Sequence, residues 1–235
     1  MGAGGVLIPP RTYFEKVQAV LSRHGVAFIA DEVICGFGRT GNWWGSQTYG
    51  IAPDTVTMAK AVTSAYVPLG AITVSEEMYG ALVEASGKHG VLAHGFTYSG
   101  HPLACAVALK TIEIYERINI VAHVQRVAPV FQTRLKALAD HPLVGEARGV
   151  GLIGALELMR GKRAKQGFDA KLGVGARATR FAEEEGLICR AVGGDSVALC
   201  PPLIIDGAEI NAMFDALGRA LDKTEAWARK GGHVA

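Results

Sequence analysis

The sequence predicts an α/β fold, with a mainly parallel sheet in the first half of the chain and a smaller α+β portion after it. Three observations carry this. VAFIADEV (Val26–Val33) is an apolar run ending in two adjacent carboxylates, and TVTMAK (Thr55–Lys60) is a second, ending in a lysine. Apolar runs of roughly four to eight residues bounded by turn signals read as buried strands of a parallel sheet. From about Asn119 the pattern changes to longer amphipathic stretches around short strands. The expected domains are therefore 1–118 and 119–235.

The opening MGAGGVLIPP is rich in glycine and then locked by proline, so it reads as a loop. A helix follows over Thr12–Arg23, with Phe14, Val17, Val20 and Leu21 on one face and Gly25 as its stop. Val26–Val33 is the first strand. Its alternation turns Asp31 and Val33 to one side and Glu32, read as structural, to the other. Gly36–Gly50 is a long glycine-rich loop, and such loops are usually functional or interfacial. Its Trp43 and Trp44 are read as packing or interface residues. Thr55–Met58 is the next strand and Ala71–Ser75 a third. The short strand-to-strand connections here cannot all be right-handed helical crossovers, so at least one strand is expected to run antiparallel. Pro102 suits the first position of a helix, and the nearly uncharged Leu103–Leu109 suggests that this helix is buried.

Beyond Asn119, the residues Val124, Ala128, Phe131, Leu135 and Leu138 form one helical stripe, with Pro129 expected to kink it. GVGLIG (Gly149–Gly154) fits the dinucleotide pattern G-x-G-x-x-G only weakly. No apolar strand precedes it, and ALELM after it reads as strand. RGKRAKQ (Arg160–Gln166) is a basic run without aromatic residues, a solvated loop. A helix near Leu172–Glu185 ends at Gly186. Gly186–Ile204 then reads as two short strands around a Gly-Gly-Asp turn, with Arg190 closing the first. The last helix aligns Ile210, Met213, Phe214, Leu217 and Leu221, and the chain is expected to fray from Gly231.

Ligands of open parallel sheets bind outside the carboxyl ends of the strands, which brings Asp31 and Lys60 to one edge and one crevice. Singly, each has an ordinary reading. A strand ending in Asp-Glu also occurs in P-loop ATPases, but no G-x-x-x-x-G-K-[ST] is present. A lysine after a strand is often a solvated stop. Together they are the two protein groups that pyridoxal phosphate chemistry requires: a carboxylate at the pyridinium nitrogen and a lysine that forms the Schiff base.

Three motifs in order, IADEVICGFGRTG (Ile29–Gly41), MAKAVTSAYVPLGA (Met58–Ala71) and HGFTYSGHPLACAVAL (His94–Leu109), resemble the class III aminotransferases, nearest to the omega-amino acid and amine:pyruvate transaminases. The resemblance runs from Gly2 to about Leu221. It starts in the middle of the family's pattern, so the chain is expected to be the C-terminal portion of such an enzyme. It implies part of a fold type I PLP-transferase large domain over 1–118, a small C-terminal domain, and pyridoxal 5′-phosphate as cofactor. It also implies Lys60 as the cofactor-bearing, proton-moving lysine, Asp31 at the ring nitrogen and Val33 against the ring. Phe96 and Thr97 are implied at the cofactor phosphate of the neighbouring subunit in a homodimer with shared active sites. Arg190 is implied as the partner of a substrate carboxylate. The implied reaction moves an amino group from an amine or omega-amino acid to pyruvate or another 2-oxo acid, with ping-pong kinetics. A related class III aminomutase or decarboxylase would use the same Asp31 and Lys60. A catalytically incomplete fragment with a binding or assembly role is the alternative from another class.

Composition narrows the rest. The chain has 235 residues and a net charge of +2 without a basic cluster, which argues against nucleic acid as a main partner. Cys35, Cys105, Cys189 and Cys200 lack metal-like spacing, and His94 and His101 have no carboxylate or thiol at ligand spacing, so no metal site is expected. No basic, apolar leader and no run of eighteen apolar residues occurs, and reduced thiols suit the cytoplasm, the expected location.

Overall fold

The computed structural model describes residues 2–234, which form two compact units. One comprises Pro9–Gly38 and Asn42–Ile120; the other comprises the residues up to Ile8, Arg39–Gly41 and those from Val121 onward.

In the first unit, helix α1 (Tyr13–His24) stops where Gly25 turns left-handed at φ 60° and returns its amide to the carbonyls of Leu21 and Ser22. This is the expected glycine stop. Strand β1 (Ile29–Asp31) is shorter than Val26–Val33. At its start Asp54 accepts from the Phe28 amide (2.7 Å). At its end the Val33 amide donates to Asp31 Oδ1 (3.0 Å), closing a turn that the chain cannot continue as a strand. Val33 therefore lies beyond the strand, and the alternation argument that aligned it with Asp31 does not reach it. The 36–50 loop is largely buried and contains a short helix, α2 (Gly45–Thr48).

Strand β2 (Thr55–Met58) has its expected bounds, and β3 (Ala71–Thr73) is the third strand. The sheet order is β1-β2-β3, with β1 parallel and β3 antiparallel to β2, so the anticipated reversal is present. Helix α3 (Glu76–His89) was not legible from apolar periodicity, since none of its residues is buried. Its signals are at its ends: the Ser75 side chain accepts from the Met78 amide, Glu76 and Glu77 occupy the first turn, and Lys88 and His89 the last. Helix α4 (Pro102–Arg117) begins at Pro102 as expected. It is not buried along Leu103–Leu109, however. Ala104, Ala108, Thr111 and Tyr115 face inward, while Leu103 and Leu109 are 62% and 71% exposed.

The second unit opens on α5 (Ile120–Ala137), which runs unbroken through exposed Pro129. Val124, Phe131 and Leu135 are fully buried, joined by Val127. Strands β4 (Val144–Val150) and β5 (Ile153–Leu158) form a hairpin. The glycines of GVGLIG serve packing there. A Cβ on Gly149 would lie 2.6 Å from the Ile153 carbonyl oxygen, and one on Gly154 2.5 Å from Leu135 Cδ2. Helix α6 (Val174–Glu184), β6 (Arg190–Val192), β7 (Ser196–Leu199) and α7 (Gly207–Lys230) complete the unit. The sheet order is β4-β5-β7-β6, antiparallel throughout. Arg190 opens β6 instead of closing a strand, because the pairing extends toward the Gly-Gly turn and not before it. Past Gly231, where fraying is expected, His233 keeps contacts: its amide donates to the Ala228 carbonyl (2.8 Å) and its ring lies 5.2 Å from Trp227. Among the described residues no helix is long and apolar enough to cross a membrane.

Candidate active site

The parallel register pairs Asp31 with Thr57, so Asp31 at the end of β1 and Lys60, two residues past β2, share the carboxyl edge of the sheet. Asp31 is exposed, and one carboxylate oxygen holds the Val33 amide. Glu32 has a different environment. Only 3% exposed, it accepts from the amides of Gly45 (2.8 Å) and Ser46 (2.6 Å) at the start of α2. Two adjacent carboxylates thus separate into a buried brace and an exposed, partly unused acceptor, and Glu32 is structural as read.

Lys60 opens a 3₁₀ turn, Lys60–Thr63, with φ 48°. A left-handed lysine costs roughly 1–3 kcal/mol and persists only where its surroundings hold it. They do. Val62 and Thr63 are buried, the Ala65 amide donates to the Lys60 carbonyl (3.1 Å), and Thr63 Oγ1 donates to the Val67 carbonyl (2.8 Å). Tyr115 Oη donates to the Ala61 carbonyl (2.9 Å), a support that sequence reasoning missed because it comes from α4. The Lys60 side chain is exposed, and its amine has no hydrogen-bond or ionic partner among the described residues. A free amine and a carboxylate with spare acceptor capacity on one sheet edge are the donor set that an aldehyde-bearing pyridine cofactor needs.

Phe96 and Thr97 belong to a separate segment of the first unit and Arg190 to the other unit. Phe96 and Thr97 lie in an exposed segment, where the Phe96 amide donates to Ser99 Oγ (3.0 Å) and the Ser99 amide to the Phe96 carbonyl (2.9 Å). Arg190 is exposed at the start of β6, in the other unit. Its neighbour Cys189 is pushed up to about 11 by burial, so this thiol stays protonated near neutrality. Trp44 packs against Phe37 in a tilted pair with ring centroids 5.0 Å apart, and Trp43 is half-buried, as packing residues would be.

The sequence pattern of the aminotransferase class-III family matches residues 1–221. The chain belongs to the class III aminotransferases. Among members of this family, it is 49% identical over 226 residues to a putrescine–pyruvate aminotransferase of Pseudomonas aeruginosa, covering 96% of this chain and 48% of that protein. It is 48% identical over 225 residues to the mitochondrial gamma aminobutyrate transaminase 1 of Solanum lycopersicum, covering 96% and 44%. The solved omega transaminase of Pseudomonas jessenii in complex with PMP is 45% identical and superposes with a TM-score of 0.93, covering 97% of this chain and 50% of that one. The chain spans about half the length of the curated relatives it matches.

Proposed function

We propose that this chain supplies one part of the active site of a pyridoxal-phosphate-dependent transaminase, which moves an amino group from an amine or omega-amino acid to pyruvate or another 2-oxo acid. The observation that carries the reading is the strained, unpaired Lys60 at the same carboxyl edge as Asp31. Pyridoxal 5′-phosphate, when bound, supplies an aldehyde to take the amine and a pyridinium ring to accept electrons. Asp31, with acceptor capacity left beyond the Val33 amide, would keep the ring nitrogen protonated. Lys60 would hold the cofactor and, once the substrate amine takes its place, would as an uncharged amine take and return the proton at the substrate carbon. Val33, whose amide is held by Asp31, would pack near the cofactor ring when it is bound. Phe96 and Thr97, which project from an exposed segment, serve the phosphate across a homodimer. Arg190, with no ion pair of its own among the described residues, takes the substrate carboxylate. The named activities of the tomato and Pseudomonas relatives support an omega-amino acid or diamine donor and a pyruvate acceptor.

Borohydride reduction of the cofactor-loaded enzyme, followed by peptide mapping, tests this reading. The cofactor mass should appear on Lys60. Its appearance on any other lysine would overturn the assignment.

A further inference from the structure

We propose that Arg39 is a positioning residue for Lys60: by clasping Leu152 and Pro201 it fixes the backbone at Phe37, and Phe37 backs the tyrosine that holds the lysine turn. Its weight in catalysis rests on the transamination reading of Lys60; the hold itself does not. The clasp lies in the unit that continues from Val121, to which Arg39–Gly41 belong. One guanidinium nitrogen of Arg39 donates to the carbonyls of Leu152 (3.0 Å) and Pro201 (2.6 Å), and the Leu152 amide donates back to the Arg39 carbonyl (2.9 Å). From α5, Gln125 donates to the Gly41 carbonyl (2.8 Å) and Gln132 to the Gly151 carbonyl (2.9 Å), bracing both sides of the contact. Gly151 is left-handed at φ 56°, and a Cβ there would collide with the Arg39 carbonyl oxygen and lie 2.6 Å from the Thr40 backbone. The glycine pattern GVGLIG, which looks like a nucleotide fingerprint, is thus a receptor for the GFGRTG backbone of the same chain.

The chain itself leads from this clasp back to the lysine. Two residues before Arg39, Phe37 is buried with φ 60°, and Gly38 follows at φ 105°. A residue with a side chain leaves that conformation unless its surroundings hold it. The Phe37 ring packs beside Trp44, with centroids 5.0 Å apart, and beside Tyr115 at 6.4 Å. Tyr115 donates to the Ala61 carbonyl, inside the turn that Lys60 opens at φ 48°. Tyr115 therefore links two left-handed residues, Phe37 through its ring and Lys60 through the carbonyl that follows it. Release at Arg39 frees Phe37, and the tyrosine loses its backing.

Arg39→Met removes the donors and tests the hold. In the cofactor-loaded enzyme it should speed amide hydrogen exchange at residues 61–65 by about tenfold or more. It should also lower kcat by about tenfold or more, while KM for the amine moves by less than about threefold. Arg39→Lys, which keeps a donor, should restore part of both. Gly151→Ala presses on the same backbone from the other side and should reproduce the exchange pattern; Arg39→Met carries the test if that variant fails to fold. Combined with Tyr115→Phe, the effect of Arg39→Met on residues 61–65 should fall well short of the sum, because both act on one bond. Phe214→Leu, a core change in the unit that holds the clasp, should leave that exchange unchanged. The proposal is overturned by a lower urea midpoint with unchanged exchange at residues 61–65, by fully additive effects, by an equal effect of Phe214→Leu, or by faster exchange with unaltered kcat. If borohydride mapping places the cofactor on another lysine, the transamination reading fails while the exchange result still decides the hold, so the two failures are told apart.

Discussion

Tyr115 in α4 donates its hydroxyl to the carbonyl of Ala61, 2.9 Å away, and so pins the turn that begins at Lys60. The two residues are 54 positions apart. The lysine backbone is held in a conformation that an unsupported chain would leave, and this bond is one of the supports.

Tyr115→Phe keeps the ring packed near Phe37 and removes only the hydroxyl. A net loss of about 0.5–1.5 kcal/mol is expected from one hydrogen bond, read as a lower urea midpoint. Unchanged stability together with unchanged hydrogen exchange at Ala61–Ala65 would show that the bond does not hold the turn.

The adjacent carboxylates should separate by readout. Glu32→Gln disturbs two charge-assisted bonds to buried amides, each worth about 1.5–3 kcal/mol, so unfolding should become easier by a comparable amount. Asp31→Asn alters an exposed side chain and should shift stability by no more than about 0.5 kcal/mol, while cofactor retention by the assembled enzyme falls. The reverse pattern would exchange their roles.

Arg190→Ala should weaken turnover of acidic acceptors such as pyruvate by about tenfold to over a hundredfold, the value of one charge-assisted pair. Neutral amine donors should change little. Equal losses for both classes, measured as kcat/KM, would make Arg190 structural.

Burial raises Cys189 from its ordinary 9.0 to about 11 and, as the larger of two causes, raises Tyr49 from 10.0 to about 12. In both cases the neutral, protonated form is the one the fold favours. Their contribution is therefore complete below about pH 9, where the unfolded thiol is still protonated. It is lost as pH rises through about 9 to 12, because the unfolded chain releases these protons first. The denaturation midpoint should fall over that window, and Cys189→Ala should reduce the fall at its lower end. Alkylation near pH 8 should reach exposed Cys200 well before Cys189.

Local chemistry was readable in the sequence. Gly25 stops α1, Pro102 starts α4, Thr55–Met58 is a strand running up to the lysine turn, and the apolar spacing of α7 identifies its buried face. Each of these depends on neighbours within a few residues, through backbone conformation or helical period. The tertiary structure decided the rest. Strand β1 ends at Asp31 because its side chain captures the Val33 amide and because pairing needs a partner strand, neither of which an apolar run records. Glu32 became a brace through amides 13 and 14 positions away. Leu103 and Leu109 stayed exposed because the small residues Ala104 and Ala108 face the interior, and composition alone cannot say which side of a helix has neighbours. The hold on Lys60 was invisible for the same reason: it comes from a tyrosine on a helix that only folding brings near.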